Sequence, residues 1–448
     1  VKAARRQFPK GVATRPIRFP VVLSITATTA GVIPVFLVGA LTVQIRRQLH
    51  FGASGLGVAV AAFFVGATAG SLLAGHISHR IGLSRAMRIG ALGSALCLAA
   101  MAVLSHSLLD LTVFLVIAGF TDGVIQPAAN GFVAGRVPSG RQGLAFGIKQ
   151  SAVPLSTLLG GLAVPAIALT VGWRWAFAAA AFGALMATVA LPSRRRMHLP
   201  PPGRPPAVDN TSQPVVPPVD PPAGRPVRPP AADGTATVRT ETEISADRSE
   251  KAKIHLRPLL VLAAAAGIGA GGANALGSFL ISGAVSAHIA EGTAGLLAAG
   301  GSVCGLLARV SVSWRADRRP GGNHFHTVAA MMVLGAVGYG LLASEIAWAM
   351  VIGTVFAFGA GWGWNGLFNY AVIRTHPRSA AMATGITQAG IFAGAVVIPP
   401  IFGLIVDQVS YTAAWLLAGG LVLVAATVML AGGRQLLAAT ATEEHVPR

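Results

Sequence analysis

The chain has 448 residues, of which 53% are hydrophobic and only 11% charged, with a mean hydropathy of +0.66. A water-soluble domain carries roughly 25% charged residues, so this composition excludes an ordinary soluble enzyme or binding module. The formal net charge of +19 invites a nucleic-acid reading. No basic domain with interleaved aromatics is present, so nucleic acid is not an expected partner.

A helix of about 20 apolar residues crosses a bilayer. Twelve stretches meet that need, and the chain reads in order as follows. A basic segment, residues 1–20, leads into the first span as an uncleaved helix rather than a short signal peptide. Spans follow near 21–44, 55–77, 86–104, 108–135, 141–170 and 173–191, giving an N-terminal bundle over 21–191. Half of the 28 prolines then fall in a linker, 192–256, too poor in apolar residues to fold and expected as an extended tether. Further spans lie near 257–283, 292–313, 325–343, 347–373, 378–406 and 412–432, giving a second bundle over 257–432 and a tail over 433–448. The expected fold is an all-α membrane protein with twelve transmembrane helices in two pseudo-symmetric six-helix bundles.

The two bundles are copies. Shifted by 238 residues, Gly147-Ile-Lys-Gln-Ser-Ala-Val153 falls on Gly385-Ile-Thr-Gln-Ala-Gly-Ile391, and Gly57, Arg80, Gly123 and Arg136 fall on Gly295, Arg318, Gly361 and Arg374. Internal repeats of apolar bundles belong above all to secondary transporters, whose site lies between the repeats. Almost all basic residues fall in loops on one side, and only Arg46, Arg47 and Arg174 lie in opposite loops. This positive-inside bias puts both termini in the cytoplasm of a bacterial inner or plasma membrane.

Charged and amide side chains inside spans are costly in hydrocarbon and mark an interior face. Asp122 is the acid inside an apolar span, about 18 Å along the helix from Asp110 at 1.5 Å per residue. Asp122, Gln126 and Asn130 recur every fourth residue on one helix face. Lys149 lies too deep to snorkel easily, whereas Arg309 is expected to reach the interface. Lys149 with Gln150 offers a cationic spot suited to an anionic group, strengthened by a low dielectric. Asp122 is a candidate proton-coupling carboxylate, because burial favours its neutral form and a nearby cation its charged form. A purely structural network packing the fourth span on the fifth fits the same residues. The second half offers Asn274, Asn365, Asn369 and Gln388 beside Trp362, Trp364 and Tyr370. One half is thus expected to carry charges and the other neutral hydrogen-bonders and aromatics.

Two cysteines, Cys97 and Cys304, build no disulfide framework or zinc site. No phosphate-cradling loop, nucleophile–base pair or metal cluster is legible, so no enzyme activity, metal or cofactor is expected.

The loop after the second span reads Gly75-His-Ile-Ser-His-Arg-Ile-Gly-Leu-Ser-Arg85, and its counterpart reads Ser313-Trp-Arg-Ala-Asp-Arg-Arg-Pro-Gly-Gly322. This resembles the cytoplasmic loop signature of the major facilitator superfamily, with Gly75, Arg80, Gly82 and Arg85 matching the first copy and Asp317 and Arg318 the second. His79 stands where an acid is usual. The resemblance implies alternating access, with the loop holding one state of the cycle. It implies a secondary active transporter acting as symporter or antiporter, with a small-molecule substrate, the lipid bilayer as its surroundings and a single copy sufficing. Proton-linked movement of a small organic anion is the favoured reading. A proton-driven multidrug or metabolite exporter is the alternative, and a non-transporting membrane sensor the alternative of another class.

Overall fold

The computed structural model describes residues 18–138, 141–191, 255–318, 324–376 and 379–444. The proline-rich linker up to residue 254 and residues 1–17 of the basic N-terminal segment lie outside the described residues. Among those described there is no strand.

The first span is α1 (Arg18–Ala40), followed by the short α2 (Thr42–Leu49). Spans two to four are α3 (Ala53–Ile81), α4 (Leu83–Leu104) and α5 (Leu108–Ala134). The fifth is interrupted: α6 (Gln142–Gln150), α7 (Ala152–Ala163) and a π-helical turn, Val164–Ala168. The sixth is α8 (Trp173–Ala190). In the second half α9 (Leu256–Ser286), α10 (Glu291–Arg318) and α11 (His324–Leu342) are spans seven to nine. The tenth is broken into α12 (Ala347–Gly359) and α13 (Asn365–Thr375), and α14 (Ala380–Gln408) and α15 (Tyr411–Glu444) complete the set. Eleven of these stretches are long and apolar enough to cross a membrane, and the break leaves Ala347–Gly359 short of that length.

The spans form because apolar helices satisfy their own backbone bonds where water is absent. Large apolar side chains cover the outside, among them Leu72, Leu96, Phe182, Val189 and Leu416, a surface suited to acyl chains rather than water. Spans one and seven are the most enclosed of these eleven. The last helix runs past the expected boundary at 432 to Glu444, because Gly433 seats on Phe325 and Leu436 is fully buried.

Local chemistry sets the turns. Gly82 joins α3 to α4 in a single residue at φ 86°, which a side chain would strain. Ser107 and Asp110 form a reciprocal capping box that starts α5.

The halves meet along a seam where α3 packs on α14, α6 and α7 pack on α10, and α1 touches α9. The first two contacts exchange under the repeat, since spans two and eleven map onto spans eight and five. At the end of the seam away from the basic loops, Asp407 of α14 accepts from the backbone N–H groups of Ala53 (2.8 Å) and Ser54 (2.7 Å), capping α3 from the other half. Gly57 lies so close to the Pro399–Pro400 backbone that a Cβ there would stand 2.7 Å from Pro400 Cα. Arg47 and Glu291 form an ion pair at 3.2 Å, also across the seam. At the basic end, Gly147 of α6 abuts the Ser313 side chain of α10 and the backbone of Gly366 in α13. There Ile373 packs on a core of Val21, Val133, Val137, Ala145 and Phe146. The halves therefore touch at both ends.

Candidate functional site

Asp122 sits midway along α5 and is 2% exposed; Lys149, at the end of α6, is fully buried. They do not pair directly. Gln126, one turn beyond Asp122, donates from Nε2 to Asp122 Oδ1 at 3.3 Å and accepts from Lys149 Nζ at 2.5 Å. Lys149 also donates to Gln150 Oε1 at 3.4 Å. Burying an ion costs several kcal/mol unless its partners are well placed, and Gln126 links the two opposite charges. Asp122 is held close to α1: a Cβ on Gly31 would lie 2.6 Å from its Oδ1. Gly31 is thus what lets α1 approach the carboxylate.

Of the residues expected to form the site, the structure joins Asp122, Gln126, Lys149 and Gln150 in one hydrogen-bonded chain. Asn130 is partly buried one turn further along α5. Asn274 donates to Ala270 O of its own helix at 2.8 Å, and Asn369 donates to Asn365 Oδ1 at 3.1 Å. These second-half amides are occupied locally, and Gln388 is partly buried on α14. In the loop motif, Gly75, Arg80, Gly82 and Arg85 are exposed, and Arg318 stacks on Trp314 at 3.7 Å from the ring centroid. The side chain of Asp317 lies outside the described residues.

Arg309 corrects the sequence reading. It does not reach the interface but is 2% exposed, deep in the seam. One guanidinium nitrogen donates to the Gln150 carbonyl and another to Trp362 O at 2.9 Å. The second half therefore contributes a buried cation, and the charges are not confined to the first half. Both acceptors are left open by their own helices: Pro154, four residues past Gln150, has no N–H to offer it, and Trp362 lies in a helix break. α6 ends at Gln150, and α12 and α13 are separated at residues 360–364, where Gly361 and Gly363 flank Trp362. Under the 238-residue offset, 360–364 is the counterpart of Asp122–Gln126. Where one half carries charge and amide on an intact helix, the other opens its backbone.

Trp362 is 4% exposed and fills the centre. Its ring meets Phe36 of α1 edge-on at 5.4 Å and Phe358 at 5.5 Å, and it leaves no room for a side chain at Gly277. Also across the seam, Thr157 of α7 and Ser302 of α10 share a hydrogen bond of 2.7 Å. The glycine–tryptophan alternation at 361–364 is a local signal of the break in the tenth span, and Pro154 of that in the fifth.

Comparison with known proteins agrees with this architecture. The family model described as Major Facilitator Superfamily matches residues 22–232. Two curated proteins from strains of Mycobacterium tuberculosis, each described as an uncharacterized MFS-type transporter, are 38% identical over 95 residues. That stretch is 21% of this chain and 21% of each relative, so the match spans about a fifth of their length. A crystal structure of a D-xylose-proton symporter superposes with a TM-score of 0.64 at 15% identity, covering 92% of this chain and 96% of that one. At that identity the likeness concerns the fold, and it extends over both halves. The chain thus resembles the Major Facilitator Superfamily in sequence over residues 22–232 and shares the symporter's fold over 92% of its length.

Proposed function

We propose that this protein is a secondary active transporter working by alternating access, and that it moves a small organic anion together with protons. The observation that carries this reading is the buried chain Asp122–Gln126–Lys149–Gln150, lying against a seam whose two ends are both in contact. Among the described membrane-buried charges, Lys149 and Arg309 outnumber Asp122, so the closed site carries an excess positive charge. A carboxylate entering it would neutralise that excess in a medium where attraction is strong. In this reading Lys149 and Gln150 hold the anion, with Gln126, Asn130, Asn274, Asn365, Asn369 and Gln388 as further polar wall. Asp122 takes and releases the coupling proton. The fold neighbour is by its description a proton symporter, which supports proton linkage. The basic end of the seam faces the cytoplasm, as the loop charges imply.

The test is uptake into proteoliposomes of radiolabelled small carboxylates, with and without an inward proton gradient. Asp122→Asn should abolish acceleration by the gradient while leaving solute exchange at equal pH. Lys149→Gln should lose both. Uptake and pH dependence unchanged in both variants would reject the roles assigned.

Export of apolar compounds is the second reading, and one feature favours it. A cavity of about 410 Å³ opens between α1, α7 and α8, lined by Ile33, Leu37, Leu155, Leu159, Ile167 and Ala180 among others. Proton-driven efflux of an apolar dye from the same vesicles, with no carboxylate uptake, would favour this reading over the first.

A further inference from the structure

Arg309 adds to the positive charge invoked above, but that reading gives it no contact with the solute. Three observations bear on it. It is 2% exposed, yet no carboxylate pairs with it; among the described residues the ion pair is Arg47–Glu291, elsewhere in the seam. Its guanidinium is held by two neutral main-chain carbonyls, Gln150 O and Trp362 O, from opposite halves of the molecule. Its Nε is buried with no hydrogen-bond partner. A buried cation with a spare donor is an incomplete anion site, because an unpaired buried charge is costly and a carboxylate accepts a guanidinium more strongly than a neutral carbonyl does. The planar fork of arginine also suits a two-oxygen acceptor.

Position gives this chemistry a consequence. Gln150 is at the break in the fifth span and Trp362 at the break in the tenth. Arg309 is therefore a staple between the two interrupted helices of opposite halves. Lys149 reaches the side chain of the same Gln150 whose carbonyl Arg309 holds, so an anion at Lys149 arrives next to the staple.

We propose that Arg309 is a second anion-contacting residue, exchanging its carbonyl partners for the carboxylate of an arriving solute and so loosening the basic end of the seam. The proposal rests on the anionic-substrate reading for its ligand but not for the staple. Two measurements separate them. The first needs no substrate. In a background with Cys97 and Cys304 replaced by serine, Ser313→Cys places a thiol at the buried contact with Gly147, where N-ethylmaleimide labelling reports opening. Arg309→Gln should speed labelling at least fivefold and Arg309→Lys less. The second is thermal stabilisation of purified protein by sodium salts of acetate, pyruvate, succinate, phosphate and sulfate at 10 mM. At least one should stabilise the parent, with that effect lost in Arg309→Gln and weakened in Arg309→Lys.

An unchanged labelling rate in a folded, monodisperse Arg309→Gln protein overturns the staple. Stabilisation that survives Arg309→Gln but not Lys149→Gln overturns the anion contact and leaves the transport reading intact. Stabilisation that survives Lys149→Gln but not Arg309→Gln does the reverse. No stabilisation of the parent by any of these anions overturns the anion contact and the anionic-substrate reading together.

Discussion

Neutralising Asp122 tests the central chain at the level of energy, independently of transport. The carboxylate and the Lys149 ammonium communicate through one amide, by hydrogen bonds of 3.3 Å and 2.5 Å. That path separates the charges by roughly 6–8 Å, and at an effective dielectric near 20 their attraction is about 2 kcal/mol. Asp122→Asn keeps the shape and removes both that attraction and the cost of burying the carboxylate, so the single variant does not isolate the pair, and the coupling between variants does. Lys149→Gln removes the same attraction from the other side and leaves a buried acid, at a cost of about 2 kcal/mol or more. If the two act as a pair, the double variant costs no more than the worse single one, and the coupling energy is about 2 kcal/mol. Reversible unfolding in mixed dodecylmaltoside–SDS micelles, read by circular dichroism, measures each corner of the cycle. Additive losses, with coupling under about 0.5 kcal/mol, would refute the claim that Gln126 transmits an interaction between the charges.

Three further outcomes are expected. Asp407→Ala removes the acceptor that caps α3 from the other half and should cost about 0.5–2 kcal/mol, with Asp407→Asn milder; equal stability of all three proteins in the same unfolding assay would count against the cap. Trp362→Ala empties the centre of the seam between Phe36 and Phe358 and should cost about 3–5 kcal/mol, with Trp362→Phe recovering part; a loss under about 1 kcal/mol would show that the ring is not packed as described. His376, in the loop after α13, is pushed below its ordinary value of 6.5, chiefly by burial and also by the nearby His255, against a backbone hydrogen bond that raises it. The unfolded chain therefore takes up the proton first, so stability should decline as pH falls below about 6.5. That component of the pH profile should vanish in His376→Asn; identical profiles would refute it.

Much of the architecture was legible beforehand because hydrophobic length is a local property. Any stretch of about 20 apolar residues must become a helix in lipid, so the number and order of spans followed from counting. The constant offset announced two like halves in the same way. Asp122 and Lys149 stood out because charge inside such a stretch is rare and costly. The Asp122–Gln126 spacing also showed a shared helix face, which the hydrogen bond between them uses.

What only the tertiary structure decided concerns partners distant in sequence. Helical periodicity could not place Gln126 between Asp122 and Lys149, because that depends on how α5 lies against α6. Nor could it place Arg309. Its depth along α10 left a route to the interface open, and the reason it stays buried is two carbonyls left open in other spans, 159 and 53 residues away. Intact helices consume their own carbonyls; Pro154 marks the open one at Gln150, but no residue-by-residue pattern shows that Arg309 comes to meet it. Composition and periodicity, being local, determined that the chain forms a duplicated membrane bundle. The assignment of its buried charges to one seam came from packing, because a buried ion is stable only where distant segments happen to bring it a partner.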